Sequence, residues 1–221
     1  MKLLIEALTK FACGLLLVGL LIFLPAGTLQ YTYGWLFIGL LFVPMLIAGF
    51  VMLAKSPEFL KKRLDAREKQ GTQTSVVAIS GLMFIAGFVV AGLDFRYGWS
   101  AIPTWVVITA SVAFLVAYAL YAEVMRENAY LSRTIKVEEG QSVVDTGMYG
   151  IVRHPMYAVT ILLFLMIPLV LGSWYGLIAF AFYPAVIVVR LKDEEELLTK
   201  ELPGYAEYKQ KVKYRIIPFI W

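Results

Sequence analysis

The chain has 221 residues, of which 60% are hydrophobic and only 16% are charged, and its mean hydropathy is +0.75. A soluble domain of this length is about half apolar and about a quarter charged, so the composition indicates an integral membrane protein. The single cysteine, Cys13, lies in an apolar run, which excludes an internal disulfide framework and a cysteine–histidine metal site. We attribute the pI near 9.0 to basic loops that face an anionic leaflet and not to nucleic-acid binding.

Four apolar segments in the first half of the chain are long enough to cross a hydrocarbon core of roughly 30 Å as helices. They are residues 11–29, 34–54, 76–93 and 102–122. A cleavable signal peptide is the alternative for the first segment, because Pro25-Ala26-Gly27 resembles a small-residue cleavage site. We expect a retained helix, because a second span follows after the short turn 30–33.

The polar segments between the spans carry weaker structural signals. In the basic segment 55–74, Ser56-Pro57-Glu58 is typical of a helix start, but the apolar stripe is thin, so an interfacial helix and a solvated loop both remain open. The loop 94–100 is aromatic, as expected at a membrane–water interface. In the longer polar segment 123–154, the alternation over 132–137 favours a short extended piece.

The last apolar block, residues 158–189, is too long for one membrane helix and short for two. Gly172 and Ser173 near its middle predict a helical hairpin with two arms of roughly 22 Å each. The predicted fold is therefore all-α: a polytopic membrane protein with four spans and a C-terminal helical hairpin. Residues 1–122 form an N-terminal four-helix membrane region, and residues 123–221 form a second region with the hairpin and a polar tail.

The distribution of basic residues predicts the orientation. Every lysine and arginine except Arg96 lies at the N-terminus, in 55–74, in 123–154 or in the tail that begins at Arg190. Because basic loops stay on the cytoplasmic side, this bias predicts an even number of crossings with both termini cytoplasmic. The polar segments before and after the hairpin therefore share the cytoplasmic face, and we expect the cytoplasmic membrane of a prokaryote.

Residues 147–157 have the composition of a binding turn. They include the only histidine of the chain, His154, and Pro155, which restrains His154 to an extended backbone and suits the first position of a helix. A helix start presents unpaired N–H groups that attract a carboxylate or phosphate. The alternative is an imidazole that is simply hydrogen-bonded at the helix start.

The tail offers a second polar cluster. Arg190 and Glu194 are spaced i, i+4, so their side chains are neighbours on a helix. The alternative to a functional role is an ordinary surface ion pair worth about 0–1 kcal/mol. Three consecutive acids at 194–196 are badly placed for anionic lipid, and they favour a cationic or polyhydroxyl ligand. A positive helix end, aromatic faces and carboxylates together suit a zwitterionic, partly aromatic small molecule.

These two clusters form a pattern that resembles the isoprenylcysteine carboxyl methyltransferase family and, more distantly, the phospholipid methyltransferases. The pattern reads Gly147-x-Tyr149-x-x-x-Arg153-His154-Pro155-x-Tyr157, then Glu194-Glu195-x-x-Leu198, then Tyr205-x-x-Tyr208-x-x-x-Val212 and Ile217-Pro218. The resemblance covers roughly residues 127–221. It marks residues 123–221 as a methyltransferase-like catalytic region.

The resemblance implies S-adenosylmethionine as methyl donor, bound in a cytoplasmic pocket between the segment before the hairpin and the tail after it. The implied cofactor-binding residues are Tyr149, His154, Pro155, Tyr157, Glu194 and Glu195, with the register of the two glutamates ambiguous by one because of Glu196. The implied catalytic residues are Arg190 and Arg153, which would steady an acidic acceptor, and His154, the first candidate for a general base with an amine or hydroxyl acceptor.

The acceptor is expected to be lipophilic, either a small molecule or a lipidated substrate that enters from the membrane lipids. The pattern departs from the family at residues 202–205, which leaves the identity of the acceptor open. No metal is implied.

Two other functions are considered. A membrane reductase of the sterol-reductase type shares this C-terminal architecture but uses a nicotinamide cofactor, whose phosphates require more partners than Arg153 and Arg190 offer. A non-catalytic transporter or scaffold is the second; transporters usually bury ionisable groups at the midplane, and the predicted spans contain almost none.

Overall fold

The computed structural model describes residues 1–64, 71–131 and 137–221, and in these ranges all regular structure is helical. The helices are α1 (Lys2–Ala26), α2 (Thr32–Lys55), α3 (Pro57–Leu64), α4 (Gly71–Tyr97), α5 (Thr104–Glu127), α6 (Pro155–Val170), α7 (Trp174–Phe180), α8 (Tyr183–Glu201) and α9 (Tyr205–Lys211). A 3-10 turn covers Gly147–Gly150. The all-α class predicted from the sequence is confirmed. Of the predicted extended piece, residues 132–137, all but Val137 lie outside the described ranges.

Five helical segments of the described chain are long and apolar enough to cross a membrane. They are Lys2–Ala26, Thr32–Lys55, Thr74–Tyr97, Thr104–Glu127 and Trp174–Glu201. The chain is therefore an integral membrane protein, as predicted. Helix α6 is shorter, and its 16 residues span about 24 Å at the rise of an α-helix.

The second arm of the hairpin differs from the prediction of two equally short arms. It runs through α7 and α8 as far as Glu201. The polar sequence after Val189 is rich in leucine, lysine and glutamate, which are strong helix formers, so the helix continues beyond the apolar block. The tail residues that precede Glu201 are consequently held on a regular helix.

The turn of the hairpin lies at Gly172 and Ser173, as the sequence predicts. Gly172 has φ +74°, and a Cβ atom there would lie 2.8 Å from the ring of Tyr33, so both conformation and space favour glycine. Ser173 caps α7 by accepting a hydrogen bond from the Gly176 amide at 2.8 Å. The turn thus ends one helix and starts the next within three residues, 171–173.

Three inter-helix turns meet at this end of the bundle. The Tyr31 hydroxyl donates to the Leu171 carbonyl oxygen, and the Ser173 hydroxyl donates to the buried Asp94 carboxylate. Asp94 also accepts from the amide of Ser100 at 2.6 Å, which fixes the turn between α4 and α5. The turns α1–α2, α4–α5 and α6–α7 therefore lie side by side.

The basic segments meet at the opposite end. Lys10 near the start of α1 donates to the Leu64 carbonyl at the end of α3 at 2.8 Å, and Lys62 pairs with Glu138. Leu60 buries one face of α3, so for residues 57–64 the structure favours the helix over the solvated loop. The N-terminus, α3 and the segment before α6 therefore share one end of the bundle.

Candidate functional site

A polar cavity of about 500 Å³ opens between the segment before α6, helices α4 to α6, and the α8–α9 region. This volume lies in the usual range of small-molecule sites, roughly 300–1,000 Å³. Its polar lining consists of Arg63, Ser80, Tyr121, Asn128, Tyr130, Gln141, Ser142, Tyr149, Arg153, His154, Tyr157, Thr160, Tyr183, Arg190, Glu194, Tyr205 and Tyr208. The rest of the lining is apolar, with Phe84 and Phe164 among its members.

The Tyr157 hydroxyl joins the two tail residues that the sequence pairs by spacing. It donates a hydrogen bond to Oε2 of Glu194 and accepts one from Nε of Arg190 at 3.1 Å. Arg190 and Glu194 are one turn apart on α8, while Tyr157 lies in the first turn of α6. The three side chains are half-buried and face the cavity, so the pair is part of its wall and not an isolated surface ion pair.

Glu195 is the centre of a second, buried cluster behind the cavity. Its Oε1 accepts a hydrogen bond from Nε of Arg153 at 2.6 Å and lies 3.3 Å from Nε2 of His154, and its Oε2 accepts from Nε of Arg215 at 3.0 Å. Arg153, His154 and Glu195 are each less than 9% exposed. A carboxylate in this position is stabilised by two guanidinium groups, which offsets the cost of burying it.

Arg153 also fixes the C-terminal tail to the start of α6. Its Nη1 donates to the carbonyl oxygens of Val212 at 2.7 Å and Lys213 at 2.9 Å. The backbone follows the same path, because the Arg153 amide donates to the Tyr214 carbonyl and the His154 amide to the Arg215 carbonyl, both at 2.8 Å. Side chain and backbone together hold the tail against the cavity.

Three tyrosines close the cavity from the turn and from α9. Asn128 donates to the Tyr149 hydroxyl at 3.1 Å, and the Tyr208 hydroxyl donates to the Tyr149 carbonyl at 2.7 Å. Burial raises the pKa of the Tyr149, Tyr205 and Tyr208 phenols, so all three stay neutral hydrogen-bond donors at ordinary pH. The Tyr205 hydroxyl is buried and has no hydrogen-bond partner among the described residues.

The turn before α6 depends on a glycine. Gly147 has φ +51°, and a Cβ atom there would lie only 1.4 Å from Oε1 of Glu127. The other carboxylate oxygen of Glu127 accepts from the Met148 amide at 3.1 Å. The end of α5 is thereby joined directly to the 3-10 turn that presents Tyr149.

Most of the residues predicted for the site line one cavity. Tyr149, Arg153, His154, Tyr157, Arg190 and Glu194 all contribute to its wall. Two do not: Pro155 occupies the first position of α6, and Glu195 lies behind the wall. Glu196 is exposed and pairs with Lys200 at 2.6 Å. Of the three consecutive acids, Glu194 is therefore the one that faces the cavity.

The structure adds residues that the sequence analysis did not assign to the site. Tyr205 and Tyr208 belong to the family pattern, where they are spaced i, i+3, and nothing else in the sequence points to a role for them in the site. The sequence does not mark Asn128 or Arg215 as site residues. Asn128 simply follows a predicted span, and Arg215 is one of several basic residues in the tail. Contacts between segments distant in sequence reveal both.

The fold and the cavity define an all-α integral membrane protein whose polar site is built at one end of the helix bundle by the start of α6 and the tail after α8. Residues 105–200 match the model for the isoprenylcysteine carboxyl methyltransferase (ICMT) family. The resemblance to this family drawn from the sequence motifs is confirmed over these residues.

Two relatives widen the comparison. The chain is 33% identical over 91 residues to Delta(14)-sterol reductase TM7SF2 of Mus musculus, which covers 40% of this chain and 22% of that protein. The chain thus matches only about a fifth of the reductase. It is 27% identical over 165 residues to the uncharacterized protein YpbQ of Bacillus subtilis (strain 168), which covers 74% of this chain and 95% of that protein.

Proposed function

We propose that this chain is an integral membrane methyltransferase that uses S-adenosylmethionine and acts on a lipophilic acceptor. The observation that carries the proposal is the Arg190–Tyr157–Glu194 contact in a polar cavity, within the region that matches the ICMT family. A carboxylate that faces such a cavity can accept hydrogen bonds from ribose hydroxyls or attract an ammonium group. Both groups occur in S-adenosylmethionine.

The residues present fit this cofactor. The Tyr205 hydroxyl is a buried donor without a partner among the described residues, and such a group is costly unless a ligand satisfies it. Tyr149 and Tyr157 offer aromatic faces, and Asn128 offers a side-chain amide. The bound cofactor would supply a methyl group on an already activated sulfonium carbon, so the main task of the protein is to hold donor and acceptor in line.

The contacts divide the arginines by role. Arg153 is occupied by Glu195 and by two tail carbonyls, so we assign it a positioning role and not a direct contact with the acceptor. Arg190 lines the cavity beside Tyr157, and we assign it to the acidic acceptor. A carboxylate acceptor needs no general base; for an amine or hydroxyl acceptor, His154 on the cavity wall is the candidate.

We place the cavity on the cytoplasmic side. The α3 segment, the 3-10 turn and the tail share one end of the bundle, and Arg96 lies at the other. The positive-inside rule then directs the basic end towards the cytoplasm, where the water-soluble donor is available.

A reductase function is the second candidate, favoured by the 33% identity to the sterol reductase. A dinucleotide carries phosphates that require cationic partners. The described arginines that line the cavity are Arg63, Arg153 and Arg190; Arg153 is already paired with Glu195, and Arg190 donates to Tyr157. The cavity is therefore better suited to a donor without phosphate groups.

Calorimetric titration of the purified protein with S-adenosylmethionine, and separately with reduced nicotinamide adenine dinucleotide phosphate, tests this proposal. We expect binding of the first and not of the second. Glu194→Gln should weaken binding roughly 10- to 150-fold, because it removes a charge-assisted contact worth about 1.5–3 kcal/mol. The matched control is Glu196→Gln, which alters an exposed acid of the same helix. Binding of the dinucleotide alone would overturn the proposal.

A further inference from the structure

Residues 216–221 form a compact apolar turn, here named the hook. The amide of Ile217 donates to the Trp221 carbonyl oxygen at 2.9 Å, and the Trp221 amide donates back to the Ile217 carbonyl at 3.0 Å. Phe219 and Ile220 lie between them and are 85% and 77% exposed, and Ile217 is exposed as well. Clustered apolar side chains that project this far mark an interaction surface.

The length of α6 places the hook at the edge of the hydrocarbon core. The segment just before the hook pairs with the start of α6, because the His154 amide donates to the Arg215 carbonyl at 2.8 Å. The 16 residues of α6 span about 24 Å, which is less than a hydrocarbon core of roughly 30 Å. The start of α6 and the hook beside it therefore lie at the depth of the lipid headgroups and not in open water.

A basic groove of about 360 Å³ lies between α8 and the tail, next to the hook. Lys192 of this groove follows Val189, the last residue of the apolar block, within one helical turn, so this part of the groove also lies at headgroup depth. Cations outnumber carboxylates in the lining, which favours an anion. These charged residues are Lys192, Lys200, Lys209 and Arg215, against Glu195 and Glu196.

Arg215 connects the groove with the hook. Its Cζ atom lies 5.3 Å from the centre of the Trp221 ring, a cation–π contact that fixes the ring of the hook against the groove. Its Nε atom donates to Oε2 of Glu195 at 3.0 Å. A displacement of the hook would therefore disturb the buried cluster around Glu195, behind the polar cavity.

We propose that the hook inserts into the leaflet at this end of the bundle and that the basic groove binds the phosphate of an anionic lipid beside it. Three observations point to lipid as the occupant: exposed apolar side chains, a position at the edge of the hydrocarbon, and a cationic groove at the same depth. Aromatic and aliphatic residues next to lysines are the composition of interfacial membrane anchors. The proposal goes beyond the proposed function and does not depend on it.

Spin labelling of the full-length protein in lipid nanodiscs tests the position of the hook. In a Cys13→Ser background, a nitroxide attached at Ile220→Cys is compared with one at Glu207→Cys, an exposed position on α9. The discs contain phosphatidylcholine and phosphatidylglycerol, and relaxation by oxygen and by a water-soluble nickel chelate measures the depth of each label. We expect the label at residue 220 roughly 5–10 Å deep in the boundary between headgroups and acyl chains, as for an interfacial apolar face, and the label at residue 207 in water.

Lipid binding measured by native mass spectrometry tests the groove. The full-length protein in a neutral detergent is titrated with phosphatidylglycerol and, separately, with phosphatidylcholine, both without S-adenosylmethionine. Lys209→Gln should lower the affinity for phosphatidylglycerol roughly fivefold, the factor that corresponds to about 1 kcal/mol for one lysine near anionic lipid, and leave phosphatidylcholine unaffected. Lys61→Gln is the matched control, because it removes an exposed lysine of α3 at the same end of the bundle but outside the groove.

The outcomes separate lipid from other occupants. If the label at residue 220 is as accessible to the nickel chelate as the label at residue 207, the hook is not inserted and the proposal is overturned. Spin–spin broadening between labels at residue 220 would show a second copy of the chain on the hook, and displacement of phosphatidylglycerol by an equal concentration of inorganic phosphate would show a site for a free anion. Either result would overturn the proposal, as would an unchanged affinity in Lys209→Gln or an equal loss in Lys61→Gln.

Discussion

The Nε atom of Arg153 lies 2.6 Å from Oε1 of Glu195, and both side chains are buried. One residue comes from the turn before α6 and the other from α8, and Arg153 also binds two carbonyls of the tail. This ion pair therefore joins the three segments that build the polar cavity. It makes the shape of the site dependent on Glu195, which lies behind the cavity wall.

Glu195→Gln should destabilise the protein, because it leaves Arg153 buried beside a neutral group. Removal of one partner of a buried pair typically costs about 3–5 kcal/mol. We expect a lower thermal midpoint and faster hydrogen exchange of the Arg153 and His154 amides, which donate to the tail carbonyls of Tyr214 and Arg215. Glu194→Gln on the same helix should leave the thermal midpoint and the hydrogen exchange unchanged, but it should weaken binding of S-adenosylmethionine. Equal midpoints for the two variants would contradict this division of roles.

Tyr205→Phe should act in opposite directions on stability and on binding. Its hydroxyl is buried without a partner among the described residues, so its removal should leave the thermal midpoint of the free protein equal or higher. If the hydroxyl serves the cofactor, affinity for S-adenosylmethionine should fall by roughly 2- to 13-fold, as expected for one hydrogen bond of about 0.5–1.5 kcal/mol. Calorimetry and thermal unfolding of the same preparation measure the two effects.

Tyr208→Phe is the matched control for that variant. Its hydroxyl does have a partner, the Tyr149 carbonyl at 2.7 Å, so its loss should lower the thermal midpoint. If the thermal midpoint falls in Tyr205→Phe but stays unchanged in Tyr208→Phe, the conclusion that only the Tyr208 hydroxyl is hydrogen-bonded in the free protein is wrong.

Gly147→Ala should disrupt the turn that presents Tyr149. The new methyl group would overlap Oε1 of Glu127 at 1.4 Å, and φ +51° is unfavourable for alanine, so the turn must move. Gly140→Ala provides the comparison, since Gly140 also has a positive φ, +72°, but open space around its Cβ position. We expect a small loss of stability for Gly140→Ala and a much larger one for Gly147→Ala, together with loss of cofactor binding.

The fold was largely predictable because its main signals are local. Runs of apolar residues indicate spans, and Gly172-Ser173 indicates the hairpin turn, whatever the rest of the chain does. The length of the second hairpin arm was not predictable, because the apolar sequence ends at Val189 whereas the helix continues to Glu201. Helix propensity carries α8 to Glu201 after the apolar sequence ends.

The site was predictable in its elements but not in its detail. Spacing identifies Glu194–Glu196 as acids on one helix, but it does not say which of them faces α6. That depends on the rotation of α8, which is set by packing. The contacts place Glu194 at Tyr157 and Glu195 at Arg153, while Glu196 remains exposed. The partners of Glu195 in the tail could not be found by local periodicity, since Arg215 is distant in sequence.

Accessibility to a membrane-impermeant thiol reagent tests the orientation. The background is Cys13→Ser, which removes the only native cysteine. Lys62→Cys and Asp145→Cys report on the basic end, where the parent residues pair with Glu138 and Lys211; Tyr97→Cys reports on the other end.

In intact cells of an expression host we expect labelling of Tyr97→Cys alone, because Tyr97 is 60% exposed at the end of α4 that lies away from the basic segments. Permeabilisation should then expose Lys62→Cys and Asp145→Cys together. Both outcomes follow from the even number of crossings predicted from the sequence, which counts the shorter α6 beside the five long segments, and from the excess of lysine and arginine at one end of the bundle. Labelling of Asp145→Cys in intact cells would place the polar cavity outside and remove its access to a cytoplasmic methyl donor.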